Sequence, residues 1–313
     1  DIRFEDNLIL FDGCLPVFIF DKAQFTHEYF SLTSANFLLS LLHKYKHKIK
    51  FFISIEEFIK YANDNSIEIR IAADATPFAK KREENYKKLF PNIKIIQDNH
   101  TLISPTKFEH MFKKFTPYYD KCQPLLKHIS ISQEVKTVDN KTTDAEFAGI
   151  IKTINSWLKK DQKITITDIT IPPYKLKSSP DYSVINDTSR LSEFIKFGAL
   201  SMRKLYLENK NEDEFIRKLI WRDFYYQSFI SFDTYNGKIQ EWDYTLEMYK
   251  KGDKNDNYIM WCSASTMVPF VDAGIQQLLN TGYMDNRLRM ITASYLIKNL
   301  KIDWRLGELF FAK

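Results

Sequence analysis

Four short apolar runs, separated by helical patterns, constrain the fold of the first third of the chain. The runs are LPVFIF, IKFFIS, EIRIAAD and NIKIIQ, which begin at Leu15, Ile49, Glu68 and Asn92. Apolar residues at helical spacing fill the intervals between them. This alternation favours a mainly parallel, doubly wound α/β sheet, because each parallel connection needs a crossover. We expect this domain to span residues 1–115.

The remainder of the chain has a different organisation. From Thr116 to Pro180 the pattern weakens, and Pro172 and Pro173 lie in a Thr-, Lys- and Asp-rich stretch. This composition predicts a linker over residues 116–180 that contains one helix, Asp144–Lys159. After Pro180, aromatic residues recur at helical spacing, which predicts an all-helical domain over residues 181–313. A length of 313 residues suits two such domains.

Several classes of protein are disfavoured by the composition. Cys14, Cys122 and Cys262 are far apart and show no metal-ligand spacing, so we expect reduced thiols and no metal site. No apolar run approaches ~18 residues and no signal peptide is evident, so we predict no membrane association. We expect an intracellular protein (cytoplasmic, nuclear or viral). The net charge of +5 is mild but permits contact with a polyanion.

The segment DTSRLS (Asp187–Ser192) is one candidate for an anion site. Hydroxyl groups at Thr188, Ser189 and Ser192 lie where a helix is predicted to begin, with Arg190 between them. Free backbone N–H groups and the positive end of a helix favour phosphate. An ordinary Ser/Thr cap is the alternative.

The segment FIRKLIWRDFYYQSF (Phe215–Phe229) predicts a helix with two functional candidates. Its 4-3-4-3 spacing embeds Arg222 in an apolar face, while Lys218 and Trp221 share the opposite face. A cation beside a large aromatic ring could hold a phosphate and stack a base. The alternative is that Trp221 packs against a neighbouring helix.

The segment from Thr281 to Glu308 places polar side chains on an apolar face. Asn286 and Arg289 are three residues apart, and continuing that face gives an apolar set: Ala293, Leu296, Ile297 and Leu300. We therefore expect the polar pair to point inward. Burying an unpartnered guanidinium is costly, so it should meet an anion, a polar ligand or an internal carboxylate. Together with Arg222, these residues suggest a dinucleotide-like cofactor in the helical domain.

Longer segments resemble the DNA photolyase/cryptochrome family. The segments that are similar to its successive FAD-domain signatures are TSRLSEFIKFGALS, LIWRDFYYQ, VPFVDAGIQQL and TGYMDNRLRMITASYLIKNLKIDWRLGE. In the N-terminal half, DATPFAKKRE and FKKFTPYY resemble segments of the family's antenna domain. The likeness spans essentially the whole chain.

The resemblance implies an α/β antenna domain followed by a helical domain that holds FAD. In this family the reduced flavin, excited by blue light, passes an electron to a pyrimidine dimer that has been flipped out of the DNA duplex. The implied flavin contacts are Thr188, Ser189, Arg190, Leu191, Ser192, Arg222, Asn286 and Arg289. The implied contacts with DNA or the dimer are Trp221, Lys218 and Arg287. Trp304 matches the tryptophan chain that photoreduces the flavin, and Asn286 would lie near the reactive ring.

Departures from the family pattern alter the dimer pocket and the chain ends. Lys218 stands where a substrate-binding Glu is usual, and an ammonium group cannot accept hydrogen bonds from a thymine. Asp285 replaces a His, and Asn299 replaces an Asp near the flavin. We expect the first strand of the family and the segments after DWRLGE to be missing, as in a truncated or split member.

Three functions remain open at this stage. The first is repair of pyrimidine dimers in DNA, by the chain alone or with a second chain that supplies the C-terminal segment. The second is a non-catalytic flavin- or DNA-binding remnant, and the third is a cryptochrome-like photoreceptor. A folate or deazaflavin antenna chromophore is compatible with the segment DATPFAKKRE.

Overall fold

The computed structural model describes residues 1–27, 29–65, 67–74, 76–97, 99–176, 189–235 and 255–313. Side chains are described within these ranges except at position 77 and at positions 229–235. The chain forms two compact units, neither of which is continuous in sequence. Unit 1 contains residues 1–21, 40–150 and 168–238, and unit 2 contains residues 22–39, 151–167 and 239–313.

Four short strands alternate with helices in the N-terminal part. The strands are β1 (Val17–Ile19), β2 (Lys50–Phe52), β3 (Arg70–Ala72) and β4 (Lys94–Ile96). The helices are α1 (Lys22–Thr26), α2 (Leu32–Lys44), α3 (Ile55–Asn65) and α4 (Pro77–Leu89). β1 pairs with β2 and β3 pairs with β4, both in parallel. The predicted strand–helix alternation and parallel pairing are therefore confirmed, in two small two-stranded sheets.

An aromatic core holds this α/β part of unit 1 together. Phe52 of β2 packs edge-on against Phe58 of α3, with ring centroids 5.4 Å apart. Phe58 and Ala62, four residues apart on α3, are both buried, and Phe90 completes the cluster. Glu56 and Glu57 occupy the first turn of the same helix, where a negative charge is favoured by the helix dipole.

The remaining helices of unit 1 include the longest in the described chain. They are α5 (Phe115–Leu126), α6 (Asp144–Trp157, whose last turns belong to unit 2), α7 (Ser192–Lys196), α8 (Met202–Glu208) and α9 (Asp213–Tyr235). The helix predicted to begin at the end of DTSRLS does start at Ser192, but it is short. Gly198 adopts φ +64°, a left-handed conformation that ends α7, and Ser201 then caps α8.

Unit 2 contains four α-helices within its described residues 255–313. They are α10 (Asp256–Cys262), α11 (Pro269–Thr281), α12 (Asn286–Ser294) and α13 (Trp304–Ala312). The helical spacing assumed for the segment Thr281–Glu308 is thus interrupted. Residues Tyr295–Asn299 form a π-helical turn, and Asp303 caps α13 by accepting a hydrogen bond from the Arg305 amide.

The core of unit 2 is centred on Trp261. This side chain is fully buried and donates a hydrogen bond from Nε1 to the carbonyl oxygen of Thr292 at 3.1 Å. Ile275 and Leu296 are also fully buried in the same cluster. α12 lies close to α11, since a Cβ atom added at Gly274 would be 3.0 Å from Cγ2 of Thr292.

Two negative findings apply to the described ranges. None of the helices there is long and apolar enough to span a membrane. No group of three or more His, Cys, Asp or Glu side chains could hold a metal ion in those same ranges.

Candidate functional site

Arg222 of α9 is half-buried and anchored to the loop that follows β4. Its Nη1 atom donates a hydrogen bond to the carbonyl oxygen of His100 at 2.6 Å. Burial lowers the pKa of Arg222, and the adjacent Asp223 opposes that shift. A guanidinium group has five N–H donors, so one bond to His100 leaves donors for an anion.

Asp223 is fully buried directly beside Arg222. Its Oδ2 atom accepts a hydrogen bond from the amide of Ile103 at 2.7 Å. Its Oδ1 atom lies 4.0 Å from Nη1 of Arg222 and has no hydrogen-bond partner within the described part of the chain. Burial raises the pKa of Asp223 to about 7, despite the hydrogen bond from Ile103 and the nearby Arg222 charge.

Trp221 has one ring face covered by helix α5. The ring of Phe115 stacks on it with centroids 3.6 Å apart and planes only 4° apart. Tyr225, one turn further along α9, lies 5.5 Å from Trp221 at an interplanar angle of 25°. At least one face of Trp221 therefore packs against a neighbouring helix, as the alternative interpretation of this residue predicted. Its predicted contact with a flipped dimer remains a prediction.

Two cations lie on the same stretch of α9. The Arg217 guanidinium is positioned over the rings of Phe115 and Tyr119, at 5.2 and 4.8 Å from their centroids. Lys218 is exposed and forms an ion pair of 3.3 Å with Glu214, one turn earlier. Lys218, Trp221 and Arg222 thus all lie on α9, and their predicted roles toward a ligand remain predictions.

The predicted phosphate segment is partly described. Thr188 lies outside the described residues. Ser189 and Arg190 are half-buried, and Arg190 adopts φ +48°. Leu191 is buried and precedes α7 without a side-chain cap, while the exposed Ser192 donates a hydrogen bond to Oε2 of Glu193.

Asn286 and Arg289 do not point into the core, so that prediction is wrong. Both side chains are exposed, as is Arg287. The buried face of α12 is instead offset along the helix, where Leu288 and Thr292 meet Gly274 of α11. The inward face expected from the spacing is displaced because Leu296 and Ile297 lie in the π-helical turn, which does not keep the α-helical phase.

Trp304 begins α13 and is about one-third exposed, with 38% of its surface accessible. The adjacent Arg305 forms an ion pair with Asp303 at 2.6 Å. The predicted site residues divide between the two units. Unit 2 contains Trp304, Asn286, Arg287 and Arg289. Unit 1 contains Ser189–Ser192, Lys218, Trp221 and Arg222.

Sequence reasoning missed two residues that shape the α9 site. Phe115 covers Trp221, although a Phe at the start of FTPYY gives no sign of its partner. Asp223 was overlooked even though it follows Arg222 in WRDF, because an acidic residue on a helix is usually solvated. Asp223 lies at an apolar position of α9, next to fully buried Ile220 and buried Phe224. That position in the spacing is the signal that could have identified it as buried.

Comparison with known proteins identifies relatives of this site and fold. Residues 215–313 match the family model for the FAD binding domain of DNA photolyase. The deoxyribodipyrimidine photo-lyase of Alkalihalophilus pseudofirmus is 34% identical over 226 residues, covering 64% of this chain and 46% of the relative. That of Buchnera aphidicola subsp. Baizongia pistaciae is 33% identical over 256 residues, covering 72% of this chain and 53% of the relative. The chain spans about half the length of the curated relatives it matches.

Solved structures share the fold across the whole chain. An archaeal photolyase from Sulfolobus tokodaii, solved with two FAD molecules, superposes with a TM-score of 0.76 at 26% identity and covers 100% of this chain and 76% of its own. A class III photolyase from Agrobacterium tumefaciens gives a TM-score of 0.70 at 19% identity, covering 100% of this chain and 74% of its own, which shows the fold alone. The predicted architecture, an α/β domain followed by a helical FAD-type domain, is confirmed. The chain belongs to the DNA photolyase/cryptochrome family.

Proposed function

We propose that this protein binds FAD and uses blue light to repair pyrimidine dimers in DNA. The observation that supports this most strongly is the match of residues 215–313 to the FAD binding domain of DNA photolyase. That stretch contains Lys218, Trp221 and Arg222, together with Asn286, Arg287, Arg289 and Trp304. The domain boundaries at residues 115 and 180 remain part of the proposal.

The described residues fit the anionic part of FAD. Arg222 is a partly desolvated guanidinium that is fixed by one neutral carbonyl oxygen and not by a tight ion pair. Its remaining N–H donors suit phosphate oxygens, which prefer charge-assisted hydrogen bonds. We assign the phosphate contacts to Arg222 and to the segment from Thr188 to Ser192, and contacts with the flavin to Asn286 and Arg289.

When bound, reduced and excited, the flavin would supply the electron that splits the dimer. The remaining tasks belong to side chains of this chain. Arg287 would bind a DNA phosphate, since it is an exposed cation next to the N-cap of α12. Trp221 would offer an aromatic surface to the flipped bases. Trp304, exposed at the start of α13, would pass electrons to the flavin.

The absorption spectrum of the purified protein tests the cofactor assignment. Flavin bands at about one FAD per chain are expected, either as purified or after reconstitution, because Arg222 and its neighbours provide the phosphate contacts. The Arg222→Gln variant should bind FAD more weakly. A folded protein that stays colourless with excess FAD would rule out the proposal.

Dimer-containing DNA tests the repair assignment. Illumination with blue light should remove the dimers in the presence of the flavin-loaded protein, while the same mixture kept in the dark should retain them. If FAD is bound but the dimers remain after illumination, the protein binds FAD and the repair function is excluded.

A second candidate function is flavin-dependent binding or sensing without repair. It is favoured by Lys218, whose ammonium group pairs with Glu214 and cannot accept the hydrogen bonds that a carboxylate would. Coverage of one face of Trp221 by Phe115 favours it as well. The Lys218→Glu variant distinguishes the two functions. If the unmodified protein does not repair dimers and the variant does, Lys218 is the cause of the missing repair activity.

A second chain as a partner, and a folate or deazaflavin antenna, stay proposals. The exposed apolar side chains of unit 2 would suit a partner: 57% of the Phe270 surface and 64% of the Met290 surface are accessible. Analytical ultracentrifugation of the purified protein, alone and mixed with candidate chains, would detect such an assembly.

A further inference from the structure

Two neighbouring side chains of α9 with opposite charge hold the same loop. Arg222 donates to the carbonyl oxygen of His100, and the Asp223 carboxylate accepts from the amide of Ile103. The two side chains are only loosely joined to each other, with 4.0 Å between Nη1 and Oδ1. Oδ1 is buried and has no hydrogen-bond partner in the described ranges. Asp223 therefore has unused capacity to attract the Arg222 charge.

The other groups around Asp223 do not supply a competing free charge. Arg203 of α8 acts on it from a distance, but its guanidinium is bound to the Asp6 carboxylate at 2.9 Å. Tyr118 and Cys122 of α5 face the same region, and burial raises the pKa of both groups, so both are neutral near pH 7.

The titratable groups that act on Arg222 besides Asp223 are Tyr226, Arg3, Asp74 and His100, and Asp223 is the one whose charge affects Arg222 most. Among them, His100 accepts the Arg222 hydrogen bond through its carbonyl oxygen. Burial lowers its pKa to about 4, so it does not change charge near neutral pH. Arg222 is therefore the cation that Asp223 attracts most directly.

We propose that Asp223 is a positioning residue that regulates how strongly Arg222 holds an anionic ligand. Neutral Asp223 leaves the Arg222 charge to the ligand, whereas ionised Asp223 shares that charge and repels the ligand. The inference deepens the proposed function and depends on it, because the ligand in question is the diphosphate of FAD.

The direction of the pH effect on FAD affinity follows from the protonation of Asp223. Burial raises the pKa of Asp223 to about 7, so its charge changes near neutral pH. A bound diphosphate adds negative charge near Arg222, which stabilises the protonated form of Asp223. By linkage, FAD affinity falls as pH rises through this pKa.

The test is the dissociation constant of FAD measured by fluorescence quenching between about pH 6 and pH 8.5, a window that brackets the Asp223 transition. For the unmodified protein we expect roughly fivefold weaker binding at the upper end, the size of one moderately screened charge interaction. The Asp223→Asn variant keeps a hydrogen-bond acceptor for Ile103 but cannot ionise, so its affinity should be constant. The Asp213→Asn variant, which removes an exposed acid at the start of the same helix, should retain the pH dependence.

The outcomes separate this inference from the proposed function. No FAD binding at any pH would contradict the proposed function and this inference with it. Binding that is equally tight across the pH range, or a slope that persists in Asp223→Asn, would overturn the inference alone.

Infrared spectroscopy of the unmodified protein provides a second test that does not depend on the folding of a variant. A band from a buried protonated carboxyl group should disappear as pH rises through about 7 and return when FAD is added. Absence of that band at pH 6 would also overturn the inference.

Discussion

Helices α9 and α12 both contribute predicted flavin and DNA contacts, but they present them in opposite ways. On α9, Trp221 is stacked on Phe115 and Arg222 is bonded to His100. On α12, Asn286, Arg287 and Arg289 are all exposed. The first group is held in position by its own unit before any ligand arrives. In the second group, Asn286 donates a weak hydrogen bond to Sδ of Met290 on its own helix, and the side chains of Arg287 and Arg289 are exposed. Their interaction energy is therefore available to a ligand, but their orientation is fixed mainly on binding.

The difference implies that substitutions on α9 affect both folding and function, whereas those on α12 affect function alone. Side chains that are ordered by packing contribute to the free energy of unfolding, while exposed ones contribute little. Three pairs of substitutions test this division, and a fourth pair, at glycines of α6 and α11, tests how closely α12 is packed. The pairs are ordered from the largest expected effect to the smallest.

The largest effect is expected for the buried acid of α9. Burial raises the pKa of Asp223 to about 7 in the folded chain, against an ordinary value of 3.8. Between these values the unfolded chain has released the proton and the folded chain has not, so the unmodified protein loses stability as pH rises from about 4 to 7. The Asp223→Asn variant does not lose this stability. The difference in free energy of unfolding between the variant and the unmodified protein should therefore favour the variant by about 3–4 kcal/mol more above pH 7 than at pH 4.

Urea denaturation of both proteins at several pH values measures this difference. Asp285→Asn is the comparison, because it makes the same replacement at a half-buried N-cap outside α9. An Asp223→Asn difference that is independent of pH would mean that the carboxyl group is ionised throughout, and the buried-acid description would be wrong.

The next effect concerns the stacked aromatic pair. The Trp221→Ala variant removes the face-to-face contact with Phe115 and opens a space beside buried Phe224, which should lower the free energy of unfolding by about 2–3 kcal/mol. The Met290→Ala variant, on the exposed side of α12, should change it by less than about 0.5 kcal/mol. Thermal unfolding followed by circular dichroism measures both. Equal changes in the two variants would remove the distinction between the helices.

A pair of arginine variants sharpens the same comparison. Arg222→Gln loses the bond to His100 and should lower the free energy of unfolding by about 1 kcal/mol as well as weakening FAD binding. Arg289→Gln should weaken FAD binding with a stability change within about 0.5 kcal/mol. FAD titration and urea denaturation of the same preparations separate the two effects. If Arg289→Gln destabilises the chain as much as Arg222→Gln does, then Arg289 has a structural partner and α12 is not merely exposed.

The sequence was informative where local pattern decides structure. The strand and helix positions of residues 15–97 and the helix containing Arg222 follow from hydrophobic spacing, and both were predicted. The orientation of Asn286 and Arg289 could not be predicted in this way. It depends on a π-helical turn at Tyr295–Asn299, which shifts the helical phase and leaves no simple composition signal.

The neighbours of the α9 residues were equally inaccessible to sequence reasoning. Phe115 and Ile103 are more than 100 residues away from Trp221 and Asp223, so their contacts arise from the tertiary fold alone. Family resemblance could name Arg222 as a cofactor contact, but not the buried acid that modulates it.

The smallest effect compares close packing in the two units through a pair of glycines. A Cβ atom at Gly274 of α11 would lie 3.0 Å from Cγ2 of Thr292 on α12, whereas one at Gly149 of α6 would have no atom within 4 Å. Gly149→Ala should therefore stabilise the chain by about 0.5–1 kcal/mol through helix propensity. Gly274→Ala gains the same propensity but must displace Thr292, so its net change should be less favourable by about 1 kcal/mol. Differential scanning calorimetry of the two variants resolves this difference. Equal stabilisation by both would show that α12 can move away from α11 at little cost, and the exposed residues of α12 would then be mobile in orientation as well as accessible.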